Sequence, residues 1–345
     1  KKIIFNLLGV KFIKFSEIAN KQFDQIKMPS INFIYKNKNL SDVLNFRINQ
    51  EKNNFKKFIN ISKSIDNFFS NVKIQLVITN FTKGIHGYFV DAAKINDIKS
   101  ICIPHGTLSK NFNDYDKIYK NTISEAITSP SATIHASQSE IAKNFFDSKK
   151  GVFNSIINTG NLTFNNSKIK RKNKKKVLFA VTMKDFESIQ LLGVEMYYEF
   201  LDKLFFLENI SKKNNIKFLV KLHPTNYKNL NDLNKIFKNL EFSKEKIDKA
   251  LNQVFATISY SSTVIEDSIN SNCPVILLDR WNRYKHCDAE ENENIKDAPV
   301  YYINNEEKLI NCIKTISSSN SINFEKYVSS KAIKSNIDDL MNRLI

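Results

Sequence analysis

The chain has 345 residues, a mass of 40.0 kDa and 42% hydrophobic residues, which predicts two domains, each with its own core. It contains no run of about 18 apolar residues, so a membrane-spanning helix is excluded. The formal net charge of +17 fits either a lysine-rich composition that favours solubility or an anionic partner such as a membrane surface, a polyanionic glycan or a nucleotide. No helix-turn-helix or RNP-like motif occurs, so nucleic acid is not an expected partner.

The four cysteines, Cys102, Cys273, Cys287 and Cys312, are not spaced as metal ligands. Cys102 and Cys273 lie in apolar runs that are typical of buried strands. We therefore predict reduced, buried thiols in a cytoplasmic protein. If the positive charge serves an anionic membrane, the protein is peripheral on its inner face.

The first 70 residues carry the weakest pattern. The apolar run at 1–15 is broken by Lys11 and Lys14 and lacks a small-residue cleavage site, which favours a first strand over a signal peptide. Another strand is expected at 30–35, "SINFIY".

Strands and helices then alternate along the first half. The pattern predicts strands at 74–80, 100–104, 132–137 and 155–161, the last ending in a turn at Gly160, and a helix over 87–97. Ser137 stands three residues before Glu140, which is typical of a capping box and predicts a helix from Glu140 onward.

A basic run, "KIKRKNKKK" at 168–176, interrupts the alternation. It is either a solvated linker or a patch for an anionic lipid or polymer. Beyond it the pattern predicts strands at 176–183, 217–224, 254–260, 274–279 and 300–304, and helices over 194–210, 263–270 and 306–316.

Strands rich in Val, Ile and Leu that alternate with helices indicate parallel sheets covered on both faces. The prediction is therefore an α/β protein with two Rossmann-like domains facing across a cleft. Their expected bounds are 1–167 and 177–345, joined by the linker 168–176. The last helix is expected to pack back on the first domain.

Ligands of open parallel sheets bind outside the carboxyl ends of the strands, so the residues that follow each strand are the candidates for chemistry. These are His105-Gly106-Thr107, His223-Pro224-Thr225, Tyr260-Ser261-Ser262-Thr263 and Arg280-Trp281.

The hydroxyl triplet Ser261, Ser262 and Thr263 stands at a predicted helix start. It is either a simple N-cap or an anion site that combines hydroxyls with free backbone N–H groups. His223 can donate to the same anion, and Pro224 forces the turn that holds the imidazole at the strand end. No GxGxxG or GxxxxGK[ST] motif occurs, which excludes a dinucleotide or P-loop phosphate cradle.

Among the other candidates, His105 is either a general base or a turn residue, and Gly106 lets its loop approach a ligand closely. His86 is a weaker candidate, and His135 and His286 are expected to be structural or at the surface. Glu266 and Asp267 either reach a ribose or are charges on a helix surface.

The Asp-x-Asp sequence at 114–116 lies off the predicted strand ends, so it is expected to be a solvated loop. No other cluster has metal-ligand spacing, and no metal is expected.

Taken together, "PHGT" in the first half and "KLHP" followed by "SYSSTVIEDSI" and "CPVILLD" in the second resemble GT-B glycosyltransferases over residues 75–316. More specifically, these motifs resemble three groups of enzymes of bacterial surface-polymer synthesis: CDP-glycerol glycerophosphotransferases, polysialyltransferases and capsule Kdo transferases. In the polysialyltransferases and the Kdo transferases, the catalytic base usually lies in a short Asp/Glu-Gly motif. The first half of this sequence contains no such motif.

The resemblance implies a metal-independent transferase without a cofactor, in which the first domain holds the acceptor and the second holds the donor. The donor would be nucleotide-activated, linked to CMP or CDP, and the acceptor a glycan or a lipid-linked glycan. It implies that His223, Ser261, Ser262 and Thr263 bind the donor phosphate and that His105 is the base. His86, Gly106 and Thr107 are then expected on the acceptor side. A sugar-nucleotide 2-epimerase of the same fold and a non-catalytic nucleotide- or glycan-binding relic are the alternatives.

Overall fold

The computed structural model describes residues 32–104, 108–162, 168–171, 173–181, 197–319, 321–328 and Asn342. The strand predicted near the amino terminus, the triplet His105-Gly106-Thr107 and the expected packing of the last helix lie outside the described residues.

The first domain contains a four-stranded parallel sheet in the order β3-β4-β5-β6. Its strands are β3 (Leu76–Thr79), β4 (Lys99–Cys102), β5 (Ile134–Ser137) and β6 (Ile156–Asn158). Each of the four predicted strands is confirmed. The predicted helix over 87–97 is α2 (Ile85–Ile95), which connects β3 to β4.

A long helix that the sequence did not reveal, α1 (Ser41–Asn71), packs on α2. Its Ile61, Ile65 and Phe69 bury themselves against Ala92 and Ala93. The many Asn and Lys residues of α1 conceal this narrow apolar stripe. Before it, the strand expected at 30–35 is only β1 (Ile34–Tyr35), paired antiparallel with β2 (Lys38–Asn39) through a turn.

Two predictions in the first domain are wrong. The Asp-x-Asp sequence is not a solvated loop but opens α3 (Asp114–Ile127), because Asn113 and Asp116 form a reciprocal capping box. The capping box expected from Ser137 is absent because β5 extends through that residue. The N-cap of α4 (Glu140–Ser148) is Ser139, whose hydroxyl accepts from the Ala142 N–H at 3.1 Å.

The second domain contains a six-stranded parallel sheet in the order β12-β11-β10-β7-β8-β9. Its strands are β7 (Lys176–Ala180), β8 (Lys217–Lys221), β9 (Leu240–Ser243), β10 (Val254–Ser259), β11 (Val275–Leu278) and β12 (Val300–Ile303). All were predicted except β9, which is short and contains Glu241.

Helices cover both faces of this sheet. They are α5 (Tyr197–Asn214), α6 (Leu230–Ile236), α7 (Ile247–Leu251), α8 (Val264–Asn270) and α9 (Glu306–Ser318). The core on one face joins Phe200 and Leu204 of α5 to Val220 of β8 and Ile313 of α9. Asn215 and Asn272 take left-handed backbone angles just after α5 and α8, where each helix must end.

The basic run at 168–176 contacts the second domain along its described part, while Lys168, Lys170, Asn173, Lys174 and Lys175 stay exposed. Ile169 is buried and its N–H donates to the Ser271 carbonyl at 3.0 Å. Lys168 and Lys174 donate to the carbonyls of Asn270 and Asn252, and Lys176 pairs with Glu241. The run therefore packs along the second domain. The domain boundaries at 167 and 177 stay predictions.

All four cysteines are buried and unbridged, as predicted. Burial raises the pKa of the Cys102 and Cys273 thiols to about 12, which keeps them protonated. Within the described ranges, no helix has both the length and the apolar character needed to cross a bilayer.

Candidate functional site

The carboxyl edges of the two sheets face each other. Ser139 follows β5 of the first domain, and its hydroxyl donates to Glu266 Oε1 in α8 of the second domain at 2.9 Å. Both residues are buried. Glu266 is therefore not a helix-surface charge: it lies in the contact between the domains, with a carboxylate oxygen engaged there.

A cavity of about 560 Å³ lies at the carboxyl edge of the six-stranded sheet, beside this contact. We call it the front cavity. Its polar lining residues are Lys221, His223, Lys246, Asp248, Ser262, Thr263 and Asp267. The structure thus brings together four residues that the sequence singled out, His223, Ser262, Thr263 and Asp267. Ser261 is not among the lining residues.

His223 is held in a defined orientation, and its contacts select one tautomer of the neutral ring. It caps a short 3₁₀ helix, Pro224–Asn229, and its Nδ1 accepts from the Thr225 N–H at 3.3 Å. The Thr225 hydroxyl lies 2.8 Å from the same nitrogen. Because Nδ1 must accept, the neutral ring carries its hydrogen on Nε2, which is then a donor. Pro224 occupies the first helical position, where its missing N–H leaves no hydrogen bond unmade.

The hydroxyl triplet precedes α8. Thr263 is the residue before the helix and makes no side-chain cap, while the Val264 N–H donates to Ser262 Oγ at 3.3 Å. Only one of the three hydroxyls therefore serves as a cap. Ser262 and Thr263 both face the front cavity, where hydroxyls can donate to an anion.

Lys221 is a functional candidate that the sequence reasoning missed. It ends β8, two residues before His223, and lines the front cavity together with Asp267. Burial lowers the pKa of Lys221, while the nearby Asp267 carboxylate opposes the shift. A lysine directly after the apolar run Phe218–Val220 of β8 was the available signal. Lys246, the residue before α7, and Asp248, in its first turn, were missed because that stretch of the sequence has the pattern of a polar loop.

The front cavity combines two chemistries. Lys221, His223 and the two hydroxyls supply donors for an anionic group such as a phosphate. Asp267 supplies an acceptor for hydroxyls such as those of a ribose. Among the described residues, no group of three or more His, Cys, Asp and Glu is placed to hold a metal ion.

On the first domain, His86 lies near the carboxyl end of β3 but not in the front cavity. Its Nδ1 is 3.2 Å from Thr79 Oγ1, and its ring packs against Phe81 at 4.2 Å between centroids. His105, Gly106 and Thr107 lie outside the described residues. The residue before them, Pro104, is buried, and its carbonyl accepts from Gln138 Nε2 at 2.6 Å.

Lys120 joins the two domains. Its ammonium is buried, lies 2.9 Å from Asp116 Oδ2, and donates to the carbonyls of Lys110 and, across the domain contact, Lys285. Burial lowers the pKa of Lys120 to about 8, despite the neighbouring Asp116 carboxylate. The second aspartate of the Asp-x-Asp sequence therefore holds a structural lysine.

His135 and His286 are structural, as expected. His135 Nε2 lies 2.8 Å from the Ser129 carbonyl, and His286 Nδ1 lies 2.9 Å from the Tyr284 hydroxyl. The His286 carbonyl accepts from Ser109 of the first domain, so this histidine also lies at the domain contact. Burial, reinforced by the charge of Lys120, lowers the pKa of His286 to about 3.

We expect His286 to make the protein acid-labile. An unfolded histidine binds a proton below its ordinary pKa of about 6.5, whereas the folded residue stays neutral down to a pKa of about 3. The free energy of unfolding should therefore fall as pH falls between these values, by up to about 1.4 kcal/mol per pH unit for one proton.

Urea unfolding of the wild type and of His286→Gln across this pH range measures the effect. The variant should show a shallower decline, while His86→Gln, at a half-exposed position, should follow the wild type. Equal slopes for all three proteins would assign the acid lability to other groups.

No protein-family model matches this sequence. No curated protein matches it either. Solved structures do match it. One is the UDP-GlcNAc 2-epimerase from Methanocaldococcus jannaschii, with 13% identity and a TM-score of 0.51 over 83% of this chain and 82% of that one.

Two further structures match in the same way. The UDP-GlcNAc 2-epimerase from Neisseria meningitidis bound to UDP-GlcNAc is 15% identical, with a TM-score of 0.52 over 83% of this chain and 81% of that one. TarM is 14% identical, with a TM-score of 0.50 over 83% of this chain but only 58% of that one. At these identities the likeness concerns the fold alone, and with the two parallel-sheet domains described above it gives this chain a GT-B fold.

Proposed function

We propose that the protein is a metal-independent transferase. It takes a sugar or polyol phosphate from a nucleotide-activated donor and passes it to a surface-polysaccharide acceptor, either a glycan or a lipid-linked glycan. The observation that carries the proposal is the convergence of His223, Ser262, Thr263 and Lys221 in one cavity at the edge facing the first domain. Structures of the same fold have been solved with UDP-GlcNAc or UDP bound, which supports a nucleotide as the ligand.

In this proposal the front cavity holds the nucleotide phosphate. As the bond from the transferred group to that phosphate breaks, charge builds on the leaving oxygen. The His223 Nε2–H, the hydroxyls of Ser262 and Thr263 and the Lys221 ammonium stabilise this charge, because fixed donors need not reorganise as the charge forms. No metal is required for that role.

The remaining roles follow from position for the described residues, and from the resemblance for His105, Gly106 and Thr107. Asp267, which lines the cavity, accepts from a ribose hydroxyl, whereas Glu266 is engaged by Ser139. His105 takes the proton of the acceptor hydroxyl as its oxygen attacks the donor. The resemblance assigns His86, Gly106 and Thr107 to the acceptor side. Ser261, which the resemblance also assigns to the donor phosphate, does not line the cavity.

We expect cytidine nucleotides to stabilise the protein most, as the resemblance to cytidine-dependent transferases implies. A thermal-shift series with CMP, CDP, UDP, GDP and ADP measures this preference. A nucleotide at about 100 times its Kd adds about 2.7 kcal/mol to the free energy of unfolding. His223→Ala should lose most of the shift, and His86→Ala, outside the cavity, should keep it. A clear preference for UDP would contradict the cytidine assignment.

The second candidate is a sugar-nucleotide 2-epimerase. Chain length supports this alternative, because the match covers 82% of the length of one such epimerase but only 58% of the length of TarM. Epimerisation requires a base that removes a carbon-bound proton, and the described residues after β3 and β5 include mainly neutral side chains such as Asn80, Thr82 and Gln138. Incubation of the protein with UDP-GlcNAc alone, followed by chromatography for its 2-epimer, distinguishes an epimerase from a transferase. Nucleotide binding without either product would leave a non-catalytic binding module.

A further inference from the structure

A second cavity lies at the opposite edge of the six-stranded sheet, near the amino ends of its strands. Its walls come from the segment before β7, the start of β10, the turn before β11 and the chain that follows α9. We call it the rear cavity. Its volume is about 760 Å³, within the usual range for ligand sites. Because a strand advances about 3.3 Å per residue, the sheet separates the rear and front cavities by on the order of 15 Å.

The rear cavity is strongly cationic. Lys170, Arg171 and Lys174 line it, and its described lining includes no Asp or Glu. None of the ion pairs found among the described residues involves these three side chains. Arg171 is half-buried, and burial lowers the pKa of its guanidinium. A cation held partly away from water attracts an anion more strongly than one at the surface.

The rest of the lining indicates which anion fits. Five neutral side chains can donate to or accept from hydroxyl groups: Asn173, Asn272, Ser317, Ser319 and Ser321. The aromatic lining residues, Phe255 and Phe324, are buried or half-buried. The cavity therefore offers no exposed ring on which a nucleic-acid base could stack and no exposed apolar side chain that could enter a lipid layer.

We propose that the rear cavity binds a segment of an acidic glycan. Arg171 and Lys170 contact its carboxylates or phosphates, and the asparagine and serine side chains contact its hydroxyls. The site is distinct from the front cavity and does not depend on the transfer reaction. Its role is to retain an anionic polysaccharide on the protein.

Calorimetry with a pentamer of galacturonic acid, which carries one carboxylate per sugar, tests the proposal. The Lys170→Gln/Arg171→Gln variant should bind the pentamer about tenfold more weakly, as expected when charge-assisted hydrogen bonds are lost. Lys175→Gln is the matched control, because Lys175 is an exposed residue of the same run and does not line the cavity. It should change affinity by less than about twofold, as an exposed charge does.

Three companion measurements make the result specific. Uncharged maltopentaose should not bind, the galacturonate monomer should bind more weakly than the pentamer, and the nucleotide thermal shift should be unchanged in the double variant. The unchanged thermal shift would show that the rear cavity is separate from the front cavity, whichever nucleotide the front cavity binds. Lys170→Gln alone, at an exposed position, replaces the double variant if that variant unfolds.

Three outcomes would overturn the proposal. Equal losses in Lys175→Gln and the double variant would reduce the effect to overall positive charge. Unchanged pentamer binding in the double variant would show that the pentamer does not bind in the rear cavity. Binding of phosphatidylserine vesicles but not of the pentamer, lost in the double variant, would assign the cavity to a lipid headgroup at an anionic membrane surface.

Discussion

The His105→Ala variant should turn over its substrates about 10²–10⁴-fold more slowly than the wild type, the range that loss of a general base produces. His105 follows Pro104, whose carbonyl is bonded to Gln138 beside the domain contact. This end of β4 therefore belongs to the edge that faces the front cavity. Because the proposed role of His105 concerns the acceptor proton, nucleotide affinity should stay at the wild-type level.

Steady-state turnover and nucleotide calorimetry on the same variants measure the two effects. His105→Gln separates a base from a positioning hydrogen bond, because glutamine can donate and accept but cannot take up the proton; it should be as slow as His105→Ala. His223→Ala should lose affinity and turnover together, since in the proposed function its Nε2–H contacts the phosphate in the donor complex and in the transition state. Full turnover in His105→Ala would place the base elsewhere, and equal loss of nucleotide binding in both alanine variants would contradict the division of roles.

The Asp116→Ala variant should lower the free energy of unfolding by about 3–5 kcal/mol at neutral pH, the cost of leaving one partner of a buried ion pair uncompensated. The Asp116 side chain is fully buried and accepts from the Phe112 N–H at 3.1 Å in addition to pairing with Lys120. Without the carboxylate, the Lys120 ammonium remains between the carbonyls of Lys110 and Lys285 with no neutralising charge.

Asp114→Ala is the matched control from the same Asp-x-Asp sequence. Asp114 is exposed in the first turn of α3, so its loss should cost only the interaction with the helix dipole, about 0.3–1 kcal/mol. Urea unfolding of both variants compares them directly. Similar small losses would show that the Asp116–Lys120 pair offsets its own desolvation and contributes little.

The sheet strands were predictable because buried parallel strands are mainly apolar runs, as in β7 and β11. The residues that follow β8 and β10 were predictable for the same reason: once the strands are placed, their carboxyl ends indicate where ligands bind. His223, Ser262 and Thr263 follow from that rule alone.

The elements that were missed are those in which tertiary contacts outweigh local pattern. The apolar stripe of α1 is narrow and interrupted by Lys and Asn. Strand β9 has only four residues, and one of them is the charged Glu241. The role of Asp116 depends on Lys285, which is distant in sequence, so no local motif could indicate it. The Glu266 contact with Ser139 likewise joins residues of different domains.

The left-handed turns of this chain have an entropic consequence. Asparagine occupies five of the ten described positions with positive φ, at 37, 173, 215, 272 and 282, in a protein with only 7 glycines in 345 residues. Lys36, Asp97 and three glycines occupy the other five. Asparagine tolerates this backbone region better than most side chains, and it restricts the unfolded chain more than glycine does. Each such turn therefore loses less conformational freedom on folding than a glycine turn would, so a glycine-poor, asparagine-rich sequence can still form the sharp connections that a strand–helix alternation requires.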